Sequence, residues 1–217
     1  TCNTYNMLKL SKGLFQITGK KKYLDFYDNT ITNAILSSQN PETGMTMYFQ
    51  PMATGYFKVY STPYDKFWCC TGTGMENFTK LNDAIYYTSS LSNKYEITVG
   101  RYISSELFLE DISLKLKMEA DYPENENSKI TILEVGEYNN FVLKLRIPDW
   151  SSSLDIVDVN GSKEGITSKD GFIYIDRKWR QNEVVNMTWK MDITYEALQD
   201  NPHVVAFKYG PVVLSAN

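Results

Sequence analysis

Apolar side chains return along this chain at two spacings, and the change from one to the other divides it. Over residues 1 to about 38 the spacing is that of an α-helix. Met7, Leu10, Leu14 and Ile17 fall on one face of a first helix, and Leu24, Tyr27, Ile31 and Ile35 on one face of a second, with Gly19 as a stop between them. Helices joined by so short a turn pack as an antiparallel hairpin. Asn40-Pro41-Glu42-Thr43-Gly44 marks a turn. From Met45 to Cys70 the chain is aromatic, is interrupted by Pro51, Gly55 and Pro63, and keeps no period. Long irregular segments inside compact domains usually carry function. A third helix is predicted from near Gly74, with Phe78, Leu81 and Ile85 as its buried stripe.

After Tyr87 the spacing shortens to two. Tyr95, Ile97 and Val99 alternate with polar residues, as do Ile112, Leu114, Leu116 and Met118. Phe141, Leu143, Leu145 and Ile147 repeat the pattern, and so do Val185, Met187, Trp189 and Met191. Shorter strands are predicted at Ile130 to Val135, Ile156 to Val159 and Phe172 to Asp176, and Asn160-Gly161 supplies turn chemistry after the second of these. Strands of this kind, half polar, describe an antiparallel sandwich with one face of each sheet in water. The boundary falls at Ser89 to Lys94, so residues 1–90 form a helical part, residues 91–217 a β-sandwich, and the fold class is α+β.

Composition removes several function classes. The net charge is −4, without long runs of one sign, which argues against nucleic acid and anionic membrane surfaces as partners. No apolar run reaches the roughly 18 to 20 residues of a membrane-spanning helix, so no membrane insertion is expected. The outlier is aromatic content, 14% of residues with 16 Tyr. Flat apolar rings with a polar edge suit stacking on sugars, although β-sandwiches are rich in them for packing alone. The first residue is Thr1 rather than Met, and Val212-Val213-Leu214 reads as an unfinished strand, so the expectation is a piece of a longer chain.

The candidate chemistry lies in three cysteines, Cys2, Cys69 and Cys70. An odd number cannot form a complete set of internal disulfides. Adjacent residues also have Cα atoms about 3.8 Å apart, closer than the roughly 4.4–6.8 Å of most disulfides. Two neighbouring thiolates can both reach one soft metal ion, and a third from another segment nearly completes a tetrahedral zinc shell. Three buried free thiols serving as small hydrophobes is the alternative. His203 lies far along in the β region and reads as an ordinary loop or strand residue.

Longer stretches then carry a resemblance. Thr1-Cys2-Asn3-Thr4-Tyr5-Asn6-Met7-Leu8-Lys9-Leu10, Asn33-Ala34-Ile35-Leu36, Phe57-Lys58-Val59-Tyr60-Ser61-Thr62-Pro63 and Phe67-Trp68-Cys69-Cys70-Thr71-Gly72-Thr73-Gly74-Met75-Glu76-Asn77 follow one another in order. Leu145-Arg146-Ile147-Pro148-Asp149-Trp150, Val159-Asn160-Gly161 and Tyr209-Gly210-Pro211 continue them. Together they resemble the bacterial β-L-arabinofuranosidases of glycoside hydrolase family 127 and its close relatives. The resemblance implies the terminal helices of an (α/α)6 catalytic barrel followed by an antiparallel β-sandwich. It implies retaining hydrolysis of β-L-arabinofuranosides, with Cys69 as a thiolate nucleophile on zinc and Cys2 and Cys70 as further zinc ligands. Asp28 matches a position where relatives have a sugar-contacting Glu, and Tyr48 a substrate-contacting Tyr; a solvated carboxylate and a packing aromatic are the plainer readings of these two. Glu76 reads as a carboxylate favouring a helix start, and Gly72 and Gly74 as a tight backbone turn behind the metal.

The same resemblance places the fourth zinc ligand and the acid/base Glu upstream of Thr1, so these residues alone are expected to be inactive. The implied partner is an arabinose-containing plant-type glycan, and the expected location is periplasmic or secreted. A carbohydrate-binding module, or a structural piece tied together by zinc or bare thiols, remains the competing function.

Overall fold

The computed structural model describes residues 2–51, 55–91, 94–151 and 157–215. The chain forms two compact units, Thr1–Asp83 and Ala84–Asn217.

In the first unit, α1 (Cys2–Thr18) and α2 (Lys22–Thr30) pack side by side. Gly19 turns the chain between them at φ +64°, a left-handed conformation with no Cβ to oppose it, and its N–H closes on the Phe15 carbonyl at 2.7 Å. The α2 stripe is as expected: Leu24, Tyr27, Ile31 and Ile35 are all buried. Its last turns are not plain α-helix. Ile31–Ile35 form one π-helical turn and Leu36–Ser38 a 3-10 turn, with both isoleucines buried.

The buried face of α1 differs from the expected one. Tyr5, Leu8, Ser11 and Phe15 face inward, while Met7, Leu10 and Ile17 are exposed. This helix carries apolar residues on two faces, and spacing alone does not say which one a neighbour covers.

The described residues between 45 and 68 form no regular element beyond isolated pairings such as Met47 with Tyr60, as the lack of period implied. Gln50 donates to the Ser37 hydroxyl at 2.7 Å, and Lys58 to the Ser37 carbonyl at 2.8 Å, which ties this segment to the end of the second helix. Helix α3 (Cys69–Thr79) starts five residues before the predicted Gly74. Thr71, Gly72, Thr73 and Gly74 are poor helix formers and disguise its first half. Of the predicted stripe, Phe78 is only half-buried, Leu81 lies beyond the helix, and Ile85 belongs to the core of the second unit.

The second unit is a β-sandwich. One sheet has the order β1 (Tyr86–Leu91), β2 (Lys94–Val99), β6 (Asn140–Arg146), β9 (Phe172–Lys178), β8 (Ile166–Lys169). The other has the order β3 (Ser105–Leu109), β4 (Leu114–Ala120), β5 (Asn127–Glu134), β10 (Val184–Thr188), β7 (Val157–Val159). Neighbours are antiparallel except β2 and β6, which run parallel. Every second residue of the long strands enters one shared core, including Ile97, Leu116, Ile130, Leu143, Ile175 and Met187. Ile156, the predicted start of one strand, lies outside the described residues.

Trp179 stacks on Phe141 at 5.3 Å between ring centres and donates to the Phe141 carbonyl at 3.0 Å. Arg146 is also fully buried; its Nε donates to the Gly100 carbonyl at 2.7 Å, and its own carbonyl accepts the Tyr102 hydroxyl. Asn160-Gly161 turns at φ +50° and +82°, both left-handed as predicted for a tight turn. Asp170-Gly171 does the same at +52° and +78° and joins β8 to β9, a hairpin the sequence reading passed over. A small third sheet, β11 (Ile193–Ala197), β12 (Val205–Tyr209) and β13 (Val212–Val213), follows. No helix among the described residues is long and apolar enough to cross a membrane.

Leu143 sits at the centre of the first sheet, opposite Ile97 of β2 and Ile175 of β9, with no exposed surface. Leu143→Ala is expected to lower unfolding stability by about 2–5 kcal/mol through the cavity it leaves. A urea titration at unchanged slope measures this, and a loss below about 1 kcal/mol would mean that the layer is not close-packed.

Candidate metal centre

Helix α3 opens on its two cysteines. Trp68 before it is extended, at φ −67° and ψ 158°, so Cys69 and Cys70 occupy the first turn, where backbone N–H groups lack helical partners and the helix end is electropositive. Both thiols are thereby set at the end of the helix that favours negative charge. Cys2, the first residue of α1, approaches from a neighbouring helix.

The three sulfurs form a tight triangle. Cys2 Sγ is 3.5 Å from Cys69 Sγ and 3.4 Å from Cys70 Sγ, and the last two are 3.9 Å apart. None is in a disulfide. Zinc–sulfur bonds of about 2.3 Å at tetrahedral angles put sulfurs about 3.8 Å apart, so these three could take one ion with little movement. No other group of three or more His, Cys, Asp or Glu side chains among the described residues comes together in this way. His203 is exposed, in the second unit.

The closeness of the thiols also shapes their electrostatics. The Cys69 thiol is pushed above its usual range by its hydrogen bond to Cys2, then by the one to Cys70. Three sulfurs this close cannot all ionise alone, because each new negative charge is repelled by the others. The environments of the three differ. Cys70 is buried, Cys2 is half-buried and Cys69 is exposed.

Cys2, Cys69 and Cys70 also line a cavity of about 350 Å³, together with Asn3, Ser38, Tyr48 and Gln50 among others. Tyr48, singled out by resemblance, is beside Cys69. Its phenol is pushed above its ordinary value, first by the charge of Cys69 and then by its hydrogen bond to that sulfur. Its ring meets Trp68 edge-on at 5.8 Å and Phe49 at 4.5 Å. On the other side Tyr48 borders an apolar cleft formed with Phe49, Phe57, Val59 and Trp68. Asp28 is not brought into this group; it is half-buried on α2 and does not line the cavity.

Three sequence readings change here. Gly72 and Gly74 do not make a turn but lie inside α3. Gly74 is buried against Thr46, and a Cβ there would meet the Thr46 Cγ2 at 2.6 Å and Oγ1 at 2.7 Å. The helix that carries the cysteines therefore rests on the irregular segment at a distance only glycine permits. Nothing in the structure explains Gly72, which has open space around it. Glu76 lies near the end of α3 rather than at its start, where, after burial, it helps push the Tyr5 phenol above its ordinary value. Thr73, quoted in the motif without a role, has its hydroxyl 3.0 Å from Cys2 Sγ. Its signal is the position four residues after Cys69, on the same helical face.

Residues 1–83 match the family model described as the β-L-arabinofuranosidase GH127 catalytic domain, and residues 96–191 the model described as the GH127 middle domain. The two matches take in more than four fifths of the chain. This chain belongs to the GH127 β-L-arabinofuranosidase family. The catalytic-domain match has the same bounds as the first compact unit.

Solved structures agree in fold. A GH127 β-L-arabinofuranosidase from Geobacillus stearothermophilus T6 superposes at TM-score 0.80 and 21% identity, covering 96% of this chain and 35% of that one. A structure described as a glycoside hydrolase gives TM-score 0.82 at 21% identity, over 98% of this chain and 37% of the other. A GH127 β-arabinofuranosidase gives 0.78 at 24% identity, over 98% and 36%. The chain thus spans about a third of the length of the GH127 and glycoside hydrolase structures it matches. No curated protein matches it.

The close approach of α3 to Thr46 in this GH127 chain is open to test. Gly74→Ala is expected to cost about 1–3 kcal/mol by overpacking, and adding Thr46→Ala, which removes the two nearest atoms, should return part of that loss. Thermal or urea unfolding of the two single variants and the double variant reads the coupling. Additive effects would mean that the two residues do not press on each other.

Proposed function

We propose that the cysteine triangle is a zinc–thiolate centre and that Cys69 is the nucleophile of a retaining hydrolase acting on β-L-arabinofuranosides. Membership of GH127 supports the reaction class. The observation that carries the reading is the spacing of the sulfurs, within a few tenths of an ångström of the edges of a zinc tetrahedron. Bound there, zinc would keep the thiols ionised near neutral pH.

The chain's own residues divide the work by exposure. Cys70 and Cys2 are withdrawn from solvent and serve as ligands, and Cys69 alone is exposed. Its Sγ attacks the anomeric carbon as the glycosidic C–O bond breaks, and the departing oxygen takes a proton from a general acid. Water then attacks the same carbon, the C–S bond breaks, and Cys69 returns as thiolate while the water proton goes to the conjugate base. Two displacements retain configuration. Tyr48 stands beside Cys69 and lines the cavity where the sugar would lie. Asp28 is outside the cavity lining, and we assign it no step.

A general acid is required about 5–5.5 Å from the nucleophile. Among the described residues lining the cavity there is no carboxyl group. The acid and a fourth metal ligand are therefore proposed to come from outside this lining, and the 217 residues by themselves are proposed to be inactive.

Two outcomes are expected. In the full-length protein, Cys69→Ala should reduce release of L-arabinose from a β-L-arabinofuranoside by more than about 1,000-fold while the far-ultraviolet circular dichroism is unchanged. Unaltered turnover would remove Cys69 from the role of nucleophile. Zinc affinity should also rise with pH. Each thiol gives up a proton on binding, so affinity gains up to about tenfold per pH unit for each proton released below the thiol range. Chelator competition between pH 6 and pH 8 measures this, and a flat profile would exclude thiolate ligation.

A further inference from the structure

The Thr73 hydroxyl stands between two acceptors with one hydrogen to give. It is 3.2 Å from the Cys69 carbonyl, the usual bond of a helical Thr to the residue four before it, and 3.0 Å from Cys2 Sγ. The Cys69 carbonyl does not depend on that hydroxyl, since the helix already supplies it with the backbone N–H of residue 73. The hydroxyl is therefore free to turn to the sulfur whenever the sulfur can only accept. A thiol at Cys2 can donate to the Thr73 oxygen. A thiolate holding a metal ion has no hydrogen and needs a donor.

Resting on the thiolate centre proposed above, we propose that Thr73 is a positioning residue of that centre, donating its hydroxyl hydrogen to the sulfur of Cys2 when the cysteines hold a divalent soft metal ion. Cys2 comes from a different helix than the adjacent pair Cys69 and Cys70. It is the ligand whose place depends on how α1 and α3 meet, and the Thr73 bond links that sulfur directly to α3. Groups that hydrogen-bond to a ligating atom fix its direction, and losing one commonly weakens metal binding about 10- to 100-fold. The bond also withdraws electron density from the sulfur.

The test uses the full-length protein and its Thr73→Val and Thr73→Ser variants. Zinc affinity is measured by chelator competition, and the cobalt-loaded proteins are examined by absorption in the sulfur-to-cobalt charge-transfer region. Thr73→Val should bind zinc about 10- to 100-fold more weakly, and its charge-transfer band should move to longer wavelength, because a sulfur without the hydrogen bond gives up an electron more easily. Thr73→Ser should return both readings towards wild type. If Thr73→Val does not fold, Thr73→Ala carries the same comparison. Wild-type affinity and an unshifted band in Thr73→Val would overturn the proposal, and so would a Ser variant as impaired as the Val one, which would assign the effect to shape. A wild-type protein that takes up neither zinc nor cobalt would instead overturn the metal centre itself.

Discussion

The close approach of three sulfurs is the constraint on which the chemistry proposed for the first unit depends. Cys2, Cys69 and Cys70 stand no more than 3.9 Å apart, a separation at which thiolates repel and thiols only weakly attract. Such crowding is poor hydrophobic packing, since one of the three is exposed. It is good preparation for a shared cation. The start of α3 adds the positive end of a helix, and Tyr48 and Thr73 bring hydroxyls to the sulfurs. These neighbours act in the same direction, favouring negative charge on sulfur once a cation is present.

The cluster is held by contacts that tolerate little change. Gly74 lets α3 lie on Thr46, Gln50 and Lys58 anchor the irregular segment to Ser37, and Ile31 and Ile35 are buried at the end of the second helix. The irregular segment is thereby held at Thr46, Gln50 and Lys58, while Tyr48, Phe49, Phe57 and Trp68 line cavities beside it. The β-sandwich has its own core, built by alternation across two sheets.

Legibility in the sequence followed the strength of the local signal. The alternating runs at Phe141–Ile147 and Val185–Met191 point into the core as read, because a strand with one apolar face has only one way to bury it. The α2 stripe was legible for the same reason. Helix α1 was not, since it offers two apolar faces and only its neighbours decide between them. Helix α3 was half hidden because glycine and threonine disfavour helices in isolation, and packing on Thr46 outweighs that preference. Within the site, the cysteines were legible by chemical type, and Tyr48 by resemblance. Thr73 was not: hydroxyl residues are common, and only the fold brings this one to a sulfur 71 positions away.

The distance in sequence between Cys2 and its partners has a further consequence. An ion held by Cys2 and Cys69 would close a loop of 67 residues, nearly all of the first unit. For a covalent tie of that span, chain entropy alone amounts to about 4 kcal/mol, and a metal clip acts on the unfolded chain in the same way. The atoms proposed to perform the chemistry would then act as a reversible clasp for the unit, so that starvation for the ion would loosen the scaffold as well as silence the proposed reaction.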